Sequence, residues 1–144
     1  MLKYLVVVLS LAIAALAQND NALSSVKPHY VVGQTLHYSV TFDGDPNFSS
    51  VTLYFNSGST PPDQAGLSPS FNINQTKKVG PGKFEVEGQI PNTTATGTYE
   101  LGTVQPRIAP NGVRDYDGKQ FHIVLEVENP VKYPFPPLKD VRPN

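Results

Sequence analysis

An all-β sandwich is the fold class this sequence predicts. The grounds are apolar and polar residues alternating in several short runs, turn residues punctuating them, and the absence of any cysteine to staple a smaller scaffold. The alternation is plainest in Leu36, Tyr38, Val40 and Phe42, in Val51, Leu53 and Phe55, and in Phe121, Ile123, Leu125 and Val127. Successive strand residues point to opposite faces, so each run describes a strand with one face on a core and the other in water. Without disulfides, stability must come from packing strands face to face.

The chain opens differently. Lys3 precedes an apolar run from Tyr4 to Leu16, and Ala15-Leu16-Ala17 leads into the polar Gln18-Asn19-Asp20. A basic start, an apolar stretch too short to span a bilayer comfortably and small residues at the cut are what the secretion machinery and its peptidase recognise. Residues 1–17 therefore read as a signal peptide, residues 18–130 as the sandwich and residues 131–144 as a proline-rich tail. The expected location is secreted or periplasmic, with no membrane span after signal cleavage. About 127 residues remain, enough for one domain with its own core. The net charge of −1 is interspersed rather than blocked, which implies neither a nucleic-acid partner nor a polybasic membrane patch.

Along the mature chain, a first edge strand is expected near Leu23–Val32, interrupted by Pro28, which has no N–H for a ladder. Gly33 turns the chain into a strand over Gln34–Phe42. Asp43-Gly44-Asp45-Pro46-Asn47 is turn-rich, and Ser50–Asn56 is the next strand. The Gly, Ser, Pro and Gln content of Ser57–Ser70 predicts a long connection. A short strand follows at Phe71–Ile73, a turn at Lys77–Gly82, and a strand at Lys83–Ile90 in which Gly88 suggests a bulge. Thr98–Val104, a loop over Pro106–Gly118 and a last strand at Gln120–Val127 complete a pattern of about seven strands.

One stretch is similar to a known family. Ile90-Pro91, the polar Asn92-Thr93-Thr94-Ala95-Thr96 and then Gly97-Thr98-Tyr99-Glu100-Leu101 resemble the corresponding pieces of secreted bacterial immunoglobulin-like modules, of the Big or fibronectin-III-like kind. Val32-Gly33-Gln34-Thr35-Leu36 and Val51-Thr52-Leu53-Tyr54-Phe55 look like the second and third strands of such modules, in the same order. The resemblance covers about Leu23 to Asn129. It implies an immunoglobulin-like Greek-key β-sandwich used for spacing, display or adhesion. In that fold Tyr99 fits a tyrosine corner, its hydroxyl tying a strand to neighbouring backbone, with an ordinary core tyrosine as the alternative.

With that strand order, the loops 43–49, 77–82 and 106–119 emerge at one end. They gather Asp43, Asp45, Asn47, Arg114, Asp115, Tyr116 and Asp117 as candidate partner-binding residues, because binding groups sit disproportionately on loops held by a rigid frame. Asp43, Asp45, Asp115 and Asp117 are also oxygen donors suited to calcium. Yet Asp43-x-Asp45-x-Asn47 matches only the opening of an EF-hand loop: Phe48 stands where glycine is needed and Tyr54 where a bidentate glutamate belongs. Turn-forming is the plain role of these residues. His29, His37 and His122 lack metal-ligand spacing, and no nucleophile elbow, cysteine or phosphate-binding loop is present, so neither a cofactor nor enzymatic activity is expected.

The expected function is a non-enzymatic binding or structural module at the cell envelope, its partner an unidentified protein or glycan. A carbohydrate ligand held by Tyr116 and the acidic side chains is one alternative. Another is a secreted hydrolase inhibitor, since Asn92–Gly97 resembles the Asn-Pro-Thr-Thr-Gly loop of chagasin-like inhibitors. The tail carries Tyr133, Phe135, Leu138 and Val141 among its prolines and is expected to lie along an open sheet edge or to dock on a partner.

Overall fold

The computed structural model describes residues 6–9, 27–132 and 138–144. Its strands are β1 (Val6–Leu9), β2 (His29–Val31), β3 (Thr35–Thr41), β4 (Phe48–Asn56), β5 (Ser70–Ile73), β6 (Gln75–Gly80), β7 (Lys83–Gln89), β8 (Gly97–Ile108), β9 (Gly112–Val113), β10 (Tyr116–Asp117) and β11 (Val124–Glu128). They form two sheets. One runs β1-β3-β7-β6, and the other β2-β11-β8-β4-β5, with β9 and β10 also paired to β8. Every ladder is antiparallel except β2 with β11.

The alternation read from the sequence is what faces the two sheets together. Leu36, Tyr38, Val40 and Phe42 are buried, as are Val51, Leu53, Phe55, Phe71, Ile73, Phe84, Val86, Tyr99, Leu101, Leu125 and Val127. The aromatic rings fall into two groups. Phe55 stacks on Phe71 with centroids 5.0 Å apart, and Phe71 meets Tyr99 at 5.2 Å. Towards the other end, Phe42 packs edge-on to Phe48 at 4.8 Å and to Phe84 at 5.7 Å, and lies 5.6 Å from Tyr116.

Several expectations need correction. The region 77–82 is mostly strand: β6 reaches Gly80 and only Pro81 and Gly82 turn. As an edge strand with polar residues on both faces it carries no apolar period to betray it. The stretch 106–119 is not open loop either, because β8 runs on to Ile108 and β9 and β10 fold back along it. At the last strand, Lys119–Phe121 is a 3-10 turn and the ladder starts only at Val124, although Phe121 and Ile123 still pack on the core. The long connection after β4 contains a further 3-10 turn at Pro62–Gln64, opened by proline as helix starts commonly are.

Gly88 sits in an unbroken β3–β7 register and makes no bulge. Its role is close packing: a Cβ there would lie 2.9 Å from the Cβ and Cγ2 of Ile73 across the sandwich. The bulges fall at Phe48/Ser50 and Tyr54/Phe55 of β4 and at Lys78/Gly80 of β6. The expected first strand is described only from Lys27 onward, the cleavage site at 15–17 lies outside the described residues, and so does Tyr133–Pro137 of the tail. Leu138 and Val141, which are described, are 81% and 79% exposed and cover no sheet edge.

Candidate functional site

Two ends of the sandwich differ in what their polar groups do. At the first, the β3–β4 loop, the Pro81-Gly82 turn and the hairpin beyond Ile108 stand together over the rings of Phe42, Phe48, Phe84 and Tyr116. Asp45 ties two of them: its Oδ1 accepts from Lys78 Nζ at 2.9 Å and from the Gly82 N–H at 3.0 Å. The hydrogen bond from Lys78, then that from Gly82, holds the Asp45 carboxyl below its ordinary value. Gly82 has φ +67°, and a Cβ there would lie 2.2 Å from the Gly44 carbonyl oxygen, so the turn and loop meet backbone to backbone.

The remaining sequence candidates are placed as follows. Asp43, Asn47 and Arg114 are exposed at this end. Asp115 accepts from Gln105 Nε2 at 2.8 Å, and Asp117 caps the Lys119 N–H at 2.9 Å. Asp43, Asp45, Asp115 and Asp117 therefore do not converge, and among the described residues no three His, Cys, Asp or Glu side chains form a group able to hold a metal ion. Three of the four carboxylates offered for calcium are each committed to a different neighbour. Tyr116 is half-buried, its ring 5.6 Å from that of Phe42. The histidines are scattered: His29 lies 3.4 Å from Glu128, His37 is 3.2 Å from Glu85, and His122 is exposed at φ 52°.

An exposed aromatic lies elsewhere. Tyr54, on the outer face of β4, donates its hydroxyl to Gln105 Oε1 at 3.3 Å, and Gln105 is held in turn by Asp115. Asn72 of β5 and Thr103 of β8 stand opposite Tyr54 in register. The alternation along β4 sets Tyr54 on its polar phase, and nothing else in the local sequence marks it as a contact.

The second end is sealed from inside. Gln64 is fully buried, donating through Nε2 to the carbonyls of Asn129 at 2.7 Å and Val131 at 2.9 Å and accepting the Thr96 N–H at 2.8 Å. Asn129 donates through Nδ2 to the Asn92 and Thr94 carbonyls at 2.7 and 2.9 Å, and its Oδ1 accepts the Val131 N–H at 3.0 Å. Tyr99 donates its hydroxyl to the Ala95 carbonyl at 2.7 Å, with the Ser68 carbonyl at 3.2 Å. Thr94 and Ala95 are buried. The loop that resembles an inhibitor's is thus tied to the body of the protein through Thr94 and Ala95, while Asn92 and Thr93 at its start are exposed. Nothing in the local sequence marks Gln64 or Asn129, because their burial arises from three distant segments meeting.

The class of protein defined so far is a cysteine-free all-β sandwich with one end sealed and one displaying short loops. No protein-family model matches the chain, and no curated protein sequence matches it. Among solved structures, Cwp6 from Clostridium difficile is similar, with a TM-score of 0.55 and 11% identity over 86% of this chain. The match spans 17% of that chain's length, and the likeness is one of fold.

Proposed function

We propose that this chain is a secreted, non-enzymatic module of the cell envelope, an immunoglobulin-like Greek-key sandwich that presents the loop end to a protein partner. The strand order supports the fold: β2 runs parallel to β11 at the rim of one sheet, β11-β8-β4-β5 continue it, and β3-β7-β6 make the other. The similar part of Cwp6, a cell wall protein, supports the compartment, as does the leader-like start. The observation that carries the functional reading is the contrast between the ends. Polar side chains at the sealed end are consumed by the fold, whereas Asp43, Asn47 and Arg114 project from a frame that Asp45, Lys78 and Gly82 keep rigid. Pre-set loops lose little freedom on binding, which is where affinity is otherwise lost.

Capture from an envelope extract of the producing cell, with wild type beside Arg114→Glu and a Gln75→Glu control on the polar β6 edge, tests this. Loss of one defined partner with Arg114→Glu alone supports the loop end; equal capture by all three overturns it. A second reading, a glycan ligand, has its own observation in Tyr54, whose half-exposed ring is held by Gln105 and flanked by Asn72 and Thr103. An aromatic face beside amides and hydroxyls suits a sugar ring, and glycan-array binding abolished by Tyr54→Ala is its expected signature.

A further inference from the structure

The outer face of the second sheet carries a polar track from Tyr54 towards the sealed end. Tyr54 and Asn56 of β4 stand opposite Thr103 and Glu100 of β8, and further along β8 Thr98 stands opposite Glu126 of β11. Gly102 makes room for the track: a Cβ there would lie 2.7 Å from the Asn56 amide nitrogen, so that amide rests over bare backbone. At its far end the track opens into a cavity of about 520 Å³ between the β4–β5 connection and the start of β8. A second cavity, of about 470 Å³, adjoins it: Thr96 lines both, and Thr98 of the first touches Glu126 of the second.

We propose that this face binds a linear amino-sugar oligosaccharide, one ring stacked on Tyr54 and another seated in the cavity beside Ser57 and Thr98, with its ammonium group towards Glu126. The proposal rests on the glycan reading of Tyr54 above and adds to it a second subsite and the charge of the ligand.

Hydrogen-bond polarity is the first ground. Hydroxyls line the cavity, and their hydrogens are already committed. Ser57 Oγ donates to the Ser59 carbonyl at 3.0 Å, Thr60 Oγ1 to the Leu67 carbonyl at 3.5 Å and Thr98 Oγ1 to Glu126 Oε1 at 2.6 Å. A hydroxyl oxygen whose hydrogen is placed elsewhere still accepts through its lone pairs, so the cavity calls for a ligand rich in donors. Sugar hydroxyls and ammonium groups supply them; phosphates and carboxylates do not.

Charge is the second. Among the described residues that line the 520 Å³ cavity none is charged. In the adjoining one, Lys132 is held by Asp63 at 3.0 Å and His29 lies 3.4 Å from Glu128. Glu126 is different: both its oxygens accept the Thr98 hydroxyl, at 2.6 and 3.0 Å, and no cation pairs with it among the described residues. A ligand ammonium there gains a charge-assisted hydrogen bond, whereas an acidic sugar meets repulsion.

Shape is the third. Tyr54 is 36% exposed with its hydroxyl tethered to Gln105, which leaves a fixed aromatic ring for the apolar face of a sugar. Pro61 and Pro62 give the cavity a stiff apolar wall. From Tyr54 to Ser57 is three residues of extended chain, about 10 Å at ~3.3 Å per residue, too far for one ring to touch both and suited to successive parts of one chain.

Titration calorimetry with β-linked tetramers of glucosamine, glucose and mannuronate, which differ chiefly in charge, tests this in a buffer that keeps the amines protonated. Expected is binding of the glucosamine tetramer at least tenfold tighter than the glucose tetramer, with no binding of the mannuronate tetramer. Glu126→Gln should erase the preference for glucosamine over glucose. Thr98→Arg, which sets a cation at the cavity, should weaken the glucosamine tetramer at least tenfold, and Thr98→Val, which keeps the shape and drops the oxygen, should weaken it in the same sense if the arginine lowers the melt. Mannuronate bound as tightly as glucosamine overturns the proposal. If Tyr54→Ala abolishes binding while Glu126→Gln and Thr98→Arg leave it unchanged, the cavity is no subsite and the proposal falls with the Tyr54 reading intact. Wild-type protein that binds none of the three tetramers removes both.

Discussion

Gln64 is wholly buried and uses both amide hydrogens and its carbonyl oxygen on three backbone partners from two segments. Replacing it by alanine leaves two carbonyls and one N–H facing a void. With about 1 kcal/mol for each hydrogen bond and a further penalty for stranded groups, Gln64→Ala is expected to cost about 3 kcal/mol in urea unfolding at unchanged slope. Tyr38 presents the opposite case. It is fully buried and its hydroxyl has no hydrogen-bond partner among the described residues, so Tyr38→Phe removes an unsatisfied group while keeping the ring that packs 5.7 Å from Phe55. The expected outcome is a gain of about 1 kcal/mol at neutral pH. Burial, and secondarily the nearby Tyr30, pushes the Tyr38 ionisation far above the ordinary tyrosine value. A folded value above the unfolded one means stability that is intact below about pH 10 and lost as pH rises beyond it. Alkaline melts of Tyr38→Phe should therefore fall off less steeply than those of the wild type.

At the scale of elements, the contact between β7 and β5 depends on Gly88. A methyl group there meets Ile73 at 2.9 Å, shorter than side chains tolerate, and Gly88→Ala must push two strands of opposite sheets apart. A loss of about 2 kcal/mol is expected from such overpacking, and Ile73→Val in the same chain, which keeps the Cβ and Cγ2 that the methyl meets, should restore none of it. The tie between the β3–β4 loop and the β6–β7 turn is different in kind, since Asp45 is exposed and its pair with Lys78 is screened. Its measurable signature is titration. By carboxyl NMR, Asp45 should titrate below the ordinary aspartate value, and Lys78→Gln should bring it part of the way up, the Gly82 N–H retaining the rest. Because the folded value is depressed, the tie holds through the ordinary carboxylate range and loosens only as pH falls below it. These elements also show what was legible. β3, β4 and β7 declare themselves through a period of two with one buried face, whereas β6, β9 and β10 are edge or two-residue pieces whose side chains bury little and leave no period to read. The loop end was legible as a place because turn residues mark it; which carboxylates face a ligand and which face a neighbour depends on distances that no local pattern encodes.

Over the whole molecule, the chain is closed at its C-terminal end by Asn129, beyond the last strand. Its side chain holds the Asn92 and Thr94 carbonyls while its own carbonyl accepts from Gln64, so the end of β11, the β7–β8 loop and the Pro62–Gln64 turn unfold as one unit. Tyr99 joins them to the rings of Phe71 and Phe55, and so to the core that both sheets share. The domain should accordingly end, in energetic terms, near Lys132 rather than at the last strand residue. Deleting Leu138–Asn144, all exposed, is expected to shift the melting temperature by less than about 1 °C. Ending the chain at Glu128 takes away Asn129 and the carbonyls that satisfy Gln64, and should lower the melt by more than about 10 °C or abolish it, at roughly 3 °C per kcal/mol for a domain this size. If both truncations melt alike, the buried amides are ornaments on a sandwich that its apolar faces already hold, and Gln64→Ala will be as mild as a surface change. If only the second collapses, one end of the molecule is fixed by hydrogen bonds that leave few polar groups to offer, and recognition falls to the other end and the outer sheet face.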